Sequence, residues 1–216
     1  MQIPLTQFRF LVLYSALFIF AGCGEEGGEH SEITTNVEKM GWEQALIATR
    51  EEKDRMFAGA SSPLTEAAQF EFSGLQYYPP DSSYRRAVQF ERFERTDTII
   101  MGTSTGKPRT MLRVGLLHFV LDEQACQLTL YKDPDNKARE NFFIPFGDKT
   151  NGSETYEGGR YLDVTQGQVK GEGILDFNEA YNPYCAYNAD WSCPIVPEEN
   201  ILSVSVQAGE KVYVEE

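Results

Sequence analysis

Thr98-Ile-Ile-Met101, then Gly102-Thr-Ser-Thr-Gly-Lys-Pro108, then Thr110-Met-Leu-Arg-Val-Gly-Leu-Leu-His-Phe-Val-Leu121 is the stretch that decides the fold. Two runs rich in β-branched and apolar residues flank a loop of Gly, Ser, Thr and Pro, which is the grammar of a β-hairpin. The same grammar extends in both directions. Downstream, Cys126, Leu128 and Leu130 alternate with Gln127, Thr129 and Tyr131. Upstream, over Arg85–Phe93, Val88, Phe90 and Arg92 alternate with Ala87, Gln89 and Glu91. Phe142–Phe146, Tyr161–Val164, Gly173–Phe177, Leu202–Val206 and Val212–Val214 complete about nine expected strands. Asp133-Pro134, Asn151-Gly152, Gly158-Gly159, Gly167 and Gly171 supply the turns between them. Such spacing predicts a mainly β domain, an antiparallel β-sandwich or barrel-like sheet, rather than βαβ units. Residues 178–200 show little period and read as a long structured loop, the kind that often carries function.

Ahead of the strands, residues 37–58 read as one helix. Asn36 is the expected N-cap, and Gly59 and Pro63 end the segment. Trp42, Leu46 and Phe57 are expected to face the core, with the charges on the opposite face. Residues 37–216 thus form a single domain.

The chain has 216 residues, with 19 Lys+Arg against 33 Asp+Glu and a net charge of −14. That balance argues against nucleic-acid binding, which needs clustered cations, and against docking on anionic lipids through a basic patch. A content of 41% hydrophobic and 12% aromatic residues supports a packed core.

Phe10–Ala21 is an apolar run too short to span a bilayer and suited to a signal-peptide core. Arg9 precedes it and Phe20-Ala21-Gly22-Cys23 ends it. Small residues before a Cys at that point resemble the bacterial lipobox, with Phe20 where Leu is usual. The resemblance implies a signal peptide over 1–22 and a lipidated Cys23 carrying acyl chains such as palmitate. It also implies a domain outside the cytoplasm, lipid-anchored to a membrane of the bacterial cell envelope. Residues 23–36, polar and rich in Gly and Glu, read as a flexible tether.

A larger resemblance rests on Asp148–Asp163, Leu175–Asn188, Cys193-Pro194, Pro197-Glu198, Asn200 and Ala208–Lys211, with Arg50, Lys53-Asp54, Ser62-Pro63-Leu64 and Tyr84-Arg85 upstream. These resemble a bacterial family of unknown function, numbered 1684, with lipoprotein-type members. The likeness covers roughly 45–214. It implies no activity or cofactor and points only to the residues that a shared site would use.

Those residues are Asp148, Thr150, Tyr156, Arg160 and Tyr161 in the first segment. Asp176, Asn178, Tyr181, Asn182, Cys185, Cys193, Glu198 and Asn200 follow in the second. Histidine is nearly absent, which removes the central player of Ser-His-Asp, Cys-His and His-zinc chemistry. His118, on an apolar strand, reads as a hydrogen-bonded structural residue. Asp148-x-Thr150-x-Gly152 departs from the EF-hand loop. No metal or other cofactor is expected. Cys185 and Cys193, in a Pro-rich loop, read first as a disulfide, and otherwise as a redox, metal or nucleophilic pair. Cys126 reads as a core thiol. Arg160 reads as the structural partner of Asp176 or Glu198, or as a ligand's anion contact. The dense Tyr and Trp fit a sugar or peptide cleft and fit loop packing equally.

Two functions fit these residues. One is a non-enzymatic binding or accessory module for a small molecule, glycan or protein, using the 148–163 and 176–200 face. The alternative is a hydrolase or transferase using Cys185 or a carboxylate pair on the same face.

Overall fold

Alternating apolar and polar residues suit a pleated surface with one buried face. A computed structural model, which describes residues 29–135, 141–171 and 173–214, gathers them into six antiparallel strands. They are β1 (Arg85–Met101), β2 (Arg109–Leu121), β3 (Gln124–Lys132), β4 (Asn141–Phe146), β5 (Arg160–Thr165) and β6 (Gly173–Asp176). Their order is β5-β4-β3-β2-β1-β6, in a nearly closed barrel-like sheet. The helices are α1 (Glu29–Ala58), α2 (Glu66–Phe70) and α3 (Gln166–Val169). The chain divides into Met1–Val37 and Glu38–Glu216, and the sheet with all its packing belongs to the second unit.

The hairpin at 102–108 forms as expected, closing with Met101 opposite Arg109. The runs on either side of residues 94–97 fuse into one strand, β1, through an irregularity between Arg92 and Asp97. Gly115 sits opposite that irregularity. A Cβ there would lie 2.3 Å from the Glu91 carbonyl and 2.6 Å from the Phe90 ring, so the close approach of β1 and β2 requires glycine. α3, held by a Thr165–Gln168 capping box, contacts both edge strands β5 and β6 and buries Val169 beside them.

The main core is one cluster to which every strand contributes, from Val88, Leu117 and Leu128 to Ile144, Leu162 and Leu175. Burying each such side chain contributes about 1.5–3 kcal/mol. Leu202, Val204, Val206 and Ala208 also enter this cluster. The alternation expected of a strand at 202–206 is therefore real as burial. It is not a strand, and neither is 212–214, so six strands replace the expected nine. The physical reason is that the backbone pairing there is brief: Leu202 N donates to the Gly147 carbonyl at 2.8 Å and the Val204 carbonyl accepts from Lys149 N at 3.1 Å, and then side chains take over at Val206. Asp148 Oδ1 accepts from Val206 N at 3.1 Å, and Arg160 donates to the Val206 carbonyl at 2.8 Å.

α1 begins upstream of Asn36 because no Gly or Pro lies between Gly28 and Gly41 to stop it. Residues 29–36 of the expected tether are therefore helical. The signal segment 1–22, Cys23 and residues up to 28 lie outside the described residues. Leu46 and Phe57 are buried, as expected. Arg50 and Lys53 also lie on the docked face, contrary to the expected division of charges. The surface they meet is polar: Arg50 donates to the Tyr78 carbonyl at 2.9 Å and the Asn178 carbonyl at 3.2 Å. Lys53 pairs with Glu210 at 2.6 Å. Among the described residues no helix is long and apolar enough to cross a membrane.

Candidate functional site

β4 and β5 are joined by 147–159, a loop that turns at Asn151-Gly152 and ends in Gly158-Gly159. Gly159 has φ +84°, and a Cβ there would lie 2.6 Å from Val196 and 2.7 Å from the Phe146 carbonyl. Only glycine fits both demands, and it delivers Arg160 to the first position of β5 with no exposed surface. Arg160 pairs with Asp148 at 2.9 Å, both side chains fully buried. Its two terminal nitrogens also donate to the carbonyls of Val206, Ala208 and Glu210, while its buried Nε has no hydrogen-bond partner among the described residues. Its partner is therefore neither Asp176 nor Glu198. The hairpin brings Asp148 back beside it, whereas β5 and β6 are opposite edges of the sheet and do not pair. Asp148 Oδ1 accepts from Thr150 N at 2.9 Å and Thr150 Oγ1 at 2.6 Å, and Thr150 Oγ1 lies 2.8 Å from Thr155 Oγ1.

Most of the other polar candidates are also bound within the chain. Asp176 accepts from Trp42 Nε1 at 2.6 Å and from Asn178 N at 2.9 Å, and Arg85 lies 3.2 Å away. Asn178 exchanges two bonds with the backbone of Asp81, at 2.8 and 2.9 Å. Asn182 donates to Glu210 at 3.1 Å and the Lys211 carbonyl at 2.7 Å. Tyr187 and Lys53 also hold the fully buried Glu210. Asn200 ties β3 to β4: it accepts from Thr129 N at 2.7 Å and donates to the carbonyls of Thr129 and Pro145. Glu198 is exposed at the start of a 3-10 turn. His118 bonds Glu91 across β1 and β2 at 2.9 Å, the structural role expected of it.

Beside this polar framework lies a cavity of about 660 Å³. Of the expected site residues it takes in Tyr161, Tyr181 and Cys193. Phe143, Tyr184 and Trp191 add rings to its wall; Lys53, Arg109, Lys132, Asp133, Asp163 and Glu179 add charge. The rings meet edge to face: Phe143–Tyr161 at 4.7 Å, Tyr161–Tyr181 at 5.9 Å and Tyr184–Trp191 at 5.1 Å between centroids. Tyr161 donates to the Pro194 carbonyl and Tyr181 to Asp163 at 2.7 Å. Burial pushes both phenols up, reinforced at Tyr181 by Asp163 and at Tyr161 by Cys193. Lys53 is committed to Glu210 and sits 5.3 Å above the Tyr181 ring. Among the described residues, neither Arg109 nor Lys132 pairs with a carboxylate. Both cations escaped the sequence reading, and their signal was weak. Arg109 and Met111 share one face of β2 at the mouth of the hairpin, and Lys132 ends β3 at the same end of the sheet.

Cys185 and Cys193 meet at the edge of this cavity. Both are free cysteines, so the disulfide expected first between them is not formed in this structure, although the two residues are in contact. Cys185 N donates to Cys193 Sγ at 3.1 Å, and Tyr156 Oη lies 3.9 Å from Cys185 Sγ. The hydrogen bond from the Cys193 thiol, helped by Tyr156 and Ser104, pulls Cys185 down to about 6 against the opposing effect of burial. The same bond and burial push Cys193 up. Cys126 packs on the main core, and burial raises it, as a structural thiol. Among the described residues no group of three or more His, Cys, Asp or Glu is placed to hold a metal ion.

The family described as "Protein of unknown function (DUF1684)" matches residues 70–211. A solution NMR structure of an uncharacterized protein from Haloarcula marismortui is similar to this chain. Its identity is 35% and its TM-score 0.66, over 84% of this chain and 100% of that one. No curated protein matches. With two thirds of its length matched and a 35% identical relative covered from end to end, the chain belongs to the DUF1684 family of unknown function.

Proposed function

We propose that this protein is a lipid-anchored binding module of the bacterial cell envelope, whose cavity takes a carboxylate-bearing sugar. The observation that carries the binding role is the cavity itself. Its rings offer flat apolar faces, and two of its cations, Arg109 and Lys132, have no carboxylate partner among the described residues. Ring faces stack on the C–H faces of a sugar, and convergent polar groups fix its orientation. Asn141, Asp163 and Glu179 supply acceptors and donors for hydroxyls beside those faces. Two cations with no carboxylate partner among the described residues suit an incoming carboxylate, and Arg suits it through two parallel bonds. The membrane anchor is supported by Phe20-Ala21-Gly22-Cys23 at the end of an apolar run.

Calorimetric titration with a glucuronate-containing disaccharide and with its neutral glucose counterpart tests the binding role. The acidic sugar is expected to bind at least tenfold more tightly, and Arg109→Ala with Lys132→Ala to erase the difference. Equal affinities, or no saturable binding of either sugar, would overturn the reading. Palmitate labelling tests the anchor. Labelling is expected in the wild type and lost in Cys23→Ser; equal labelling of both would overturn it.

A further inference from the structure

We propose that Cys185 and Cys193 form a thiol–disulfide exchange site at the cavity edge, with Cys185 attacking and Cys193 resolving, and with a small aliphatic disulfide as the substrate. This does not rest on the sugar-binding reading. The geometry separates the two roles. Cys185 sits in the 3-10 turn Tyr184–Ala186 and is half-buried, the more exposed of the two thiols. Cys193 is buried behind it and lines the cavity wall. Each thiol has its own anchor. Cys193 is tied to the β1–β2 hairpin loop: its N donates to Ser104 Oγ at 3.1 Å, and its carbonyl accepts from Ser104 N at 2.9 Å. Cys185 is carried by a turn that closes with Ala186 N on the Pro183 carbonyl at 2.9 Å. The Cys185 amide meets Cys193 Sγ at 3.1 Å, so the two residues are already in contact.

The surroundings favour charge on the outer sulfur. The Cys193 thiol, the Tyr156 phenol and the Ser104 hydroxyl all stabilise a Cys185 thiolate. An attacking thiol works best when its ionisation lies near the ambient pH, and about 6 for Cys185 meets that condition. Cys193, held protonated, stays in reserve. Cys126 provides the contrast within one chain, because burial alone moves it away from reactivity.

The exchange balances in two steps. The Cys185 thiolate attacks one sulfur of the substrate disulfide; that S–S bond breaks, and the departing thiolate takes a proton from solvent. Cys193 then loses its proton to solvent and attacks Cys185 Sγ. The mixed disulfide breaks, the second substrate thiolate leaves and is protonated, and Cys185–Cys193 forms. Two electrons pass from the pair to the substrate, which is itself the oxidant. The reverse sequence with two thiols restores the pair.

The test uses the reduced full-length chain, oxidised glutathione and peptide mapping. Oxidised glutathione is expected to close Cys185–Cys193, and dithiothreitol to reopen it in the folded protein. Cys193→Ser is expected to accumulate a Cys185–glutathione mixed disulfide. At neutral pH, iodoacetamide is expected to modify Cys185 at least tenfold faster than Cys126. A bond that dithiothreitol cannot open without unfolding would overturn the proposal, as would no bond in oxidised glutathione. Alkylation of Cys185 no faster than Cys126 would overturn it too, and this wild-type measurement decides the matter even if the Ser variant fails to fold.

Discussion

The Arg160 cluster and the cavity are built partly from the same two segments, 148–163 and 176–200, yet their charges face opposite ways. Around Arg160, both terminal nitrogens meet groups of the chain itself: Asp148 and three carbonyls of the 206–210 tail. Around the cavity, rings are paired with rings, while Arg109 and Lys132 line the wall without a carboxylate partner among the described residues. Buried charges must be paired and hydrogen-bonded to persist at all. A conspicuous set of Asp, Asn and Arg in loops is therefore first a sign of loops that need holding. On the proposed binding role, the ligand contacts would come from residues the fold leaves unmatched.

Substitutions can break this contrast, and the largest effect falls in the sealed region. Arg160→Met leaves the buried Asp148 carboxylate without its partner and orphans the carbonyls of Val206 and Ala208. The expected loss is about 3–5 kcal/mol in denaturant unfolding. A variant as stable as wild type would mean that the cluster is not sealed. Asn200→Ala comes next, because it strands Thr129 N and the Thr129 and Pro145 carbonyls between β3 and β4. The expected loss is about 1–3 kcal/mol, smaller than for Arg160→Met because no charge is left unpaired. Thermal unfolding should show the loss with the same folded spectrum.

The tyrosines sharpen the comparison through pH. Tyr161, Tyr181 and Tyr187 are all pushed up, chiefly by burial. With folded values above the ordinary value near 10, the stability these neutral rings contribute is intact below pH 10. It is lost as pH climbs toward the folded values. Tyrosinate absorbance should therefore rise together with alkaline unfolding rather than before it. Early titration of these three rings in the native state would contradict the packing described. The smallest effect belongs to the rim: Arg109→Ala and Lys132→Ala should each change stability by under about 0.5 kcal/mol. A larger loss would show that these cations hold the fold and are not free for a ligand.

Much of this architecture was legible in the sequence, through period and turns. The hairpin around Gly102–Pro108, the β2–β3 pair and the irregular 178–200 segment all stand where alternation and turn residues put them. What alternation cannot tell is who takes the backbone bonds. Leu202, Val204, Val206 and Ala208 bury alternate side chains like a strand, but only Leu202 and Val204 bond a neighbouring backbone, at Gly147 and Lys149, before Asp148 and Arg160 take over at Val206. Arg50 and Lys53 read from the sequence as solvent-facing helix charges, because the polarity of the surface they dock on is a tertiary fact. The site residues were legible as a neighbourhood rather than as a set. Tyr161, Tyr181 and Cys193 line the cavity, but Arg109 and Lys132 come from distant strand ends that only folding brings to it.

The chain's two tryptophans mark the two regions, which allows a direct test of the central claim. Trp42 donates to Asp176 in the polar framework, and Trp191 stands in the cavity wall. The decisive measurement is a tryptophan-fluorescence titration with the glucuronate disaccharide in Trp42→Phe and in Trp191→Phe. The cavity account predicts a saturable change in Trp42→Phe, where Trp191 reports, and a flat response in Trp191→Phe. A saturable change carried by Trp42, with Trp191 silent, would place the ligand on the polar framework and contradict the account.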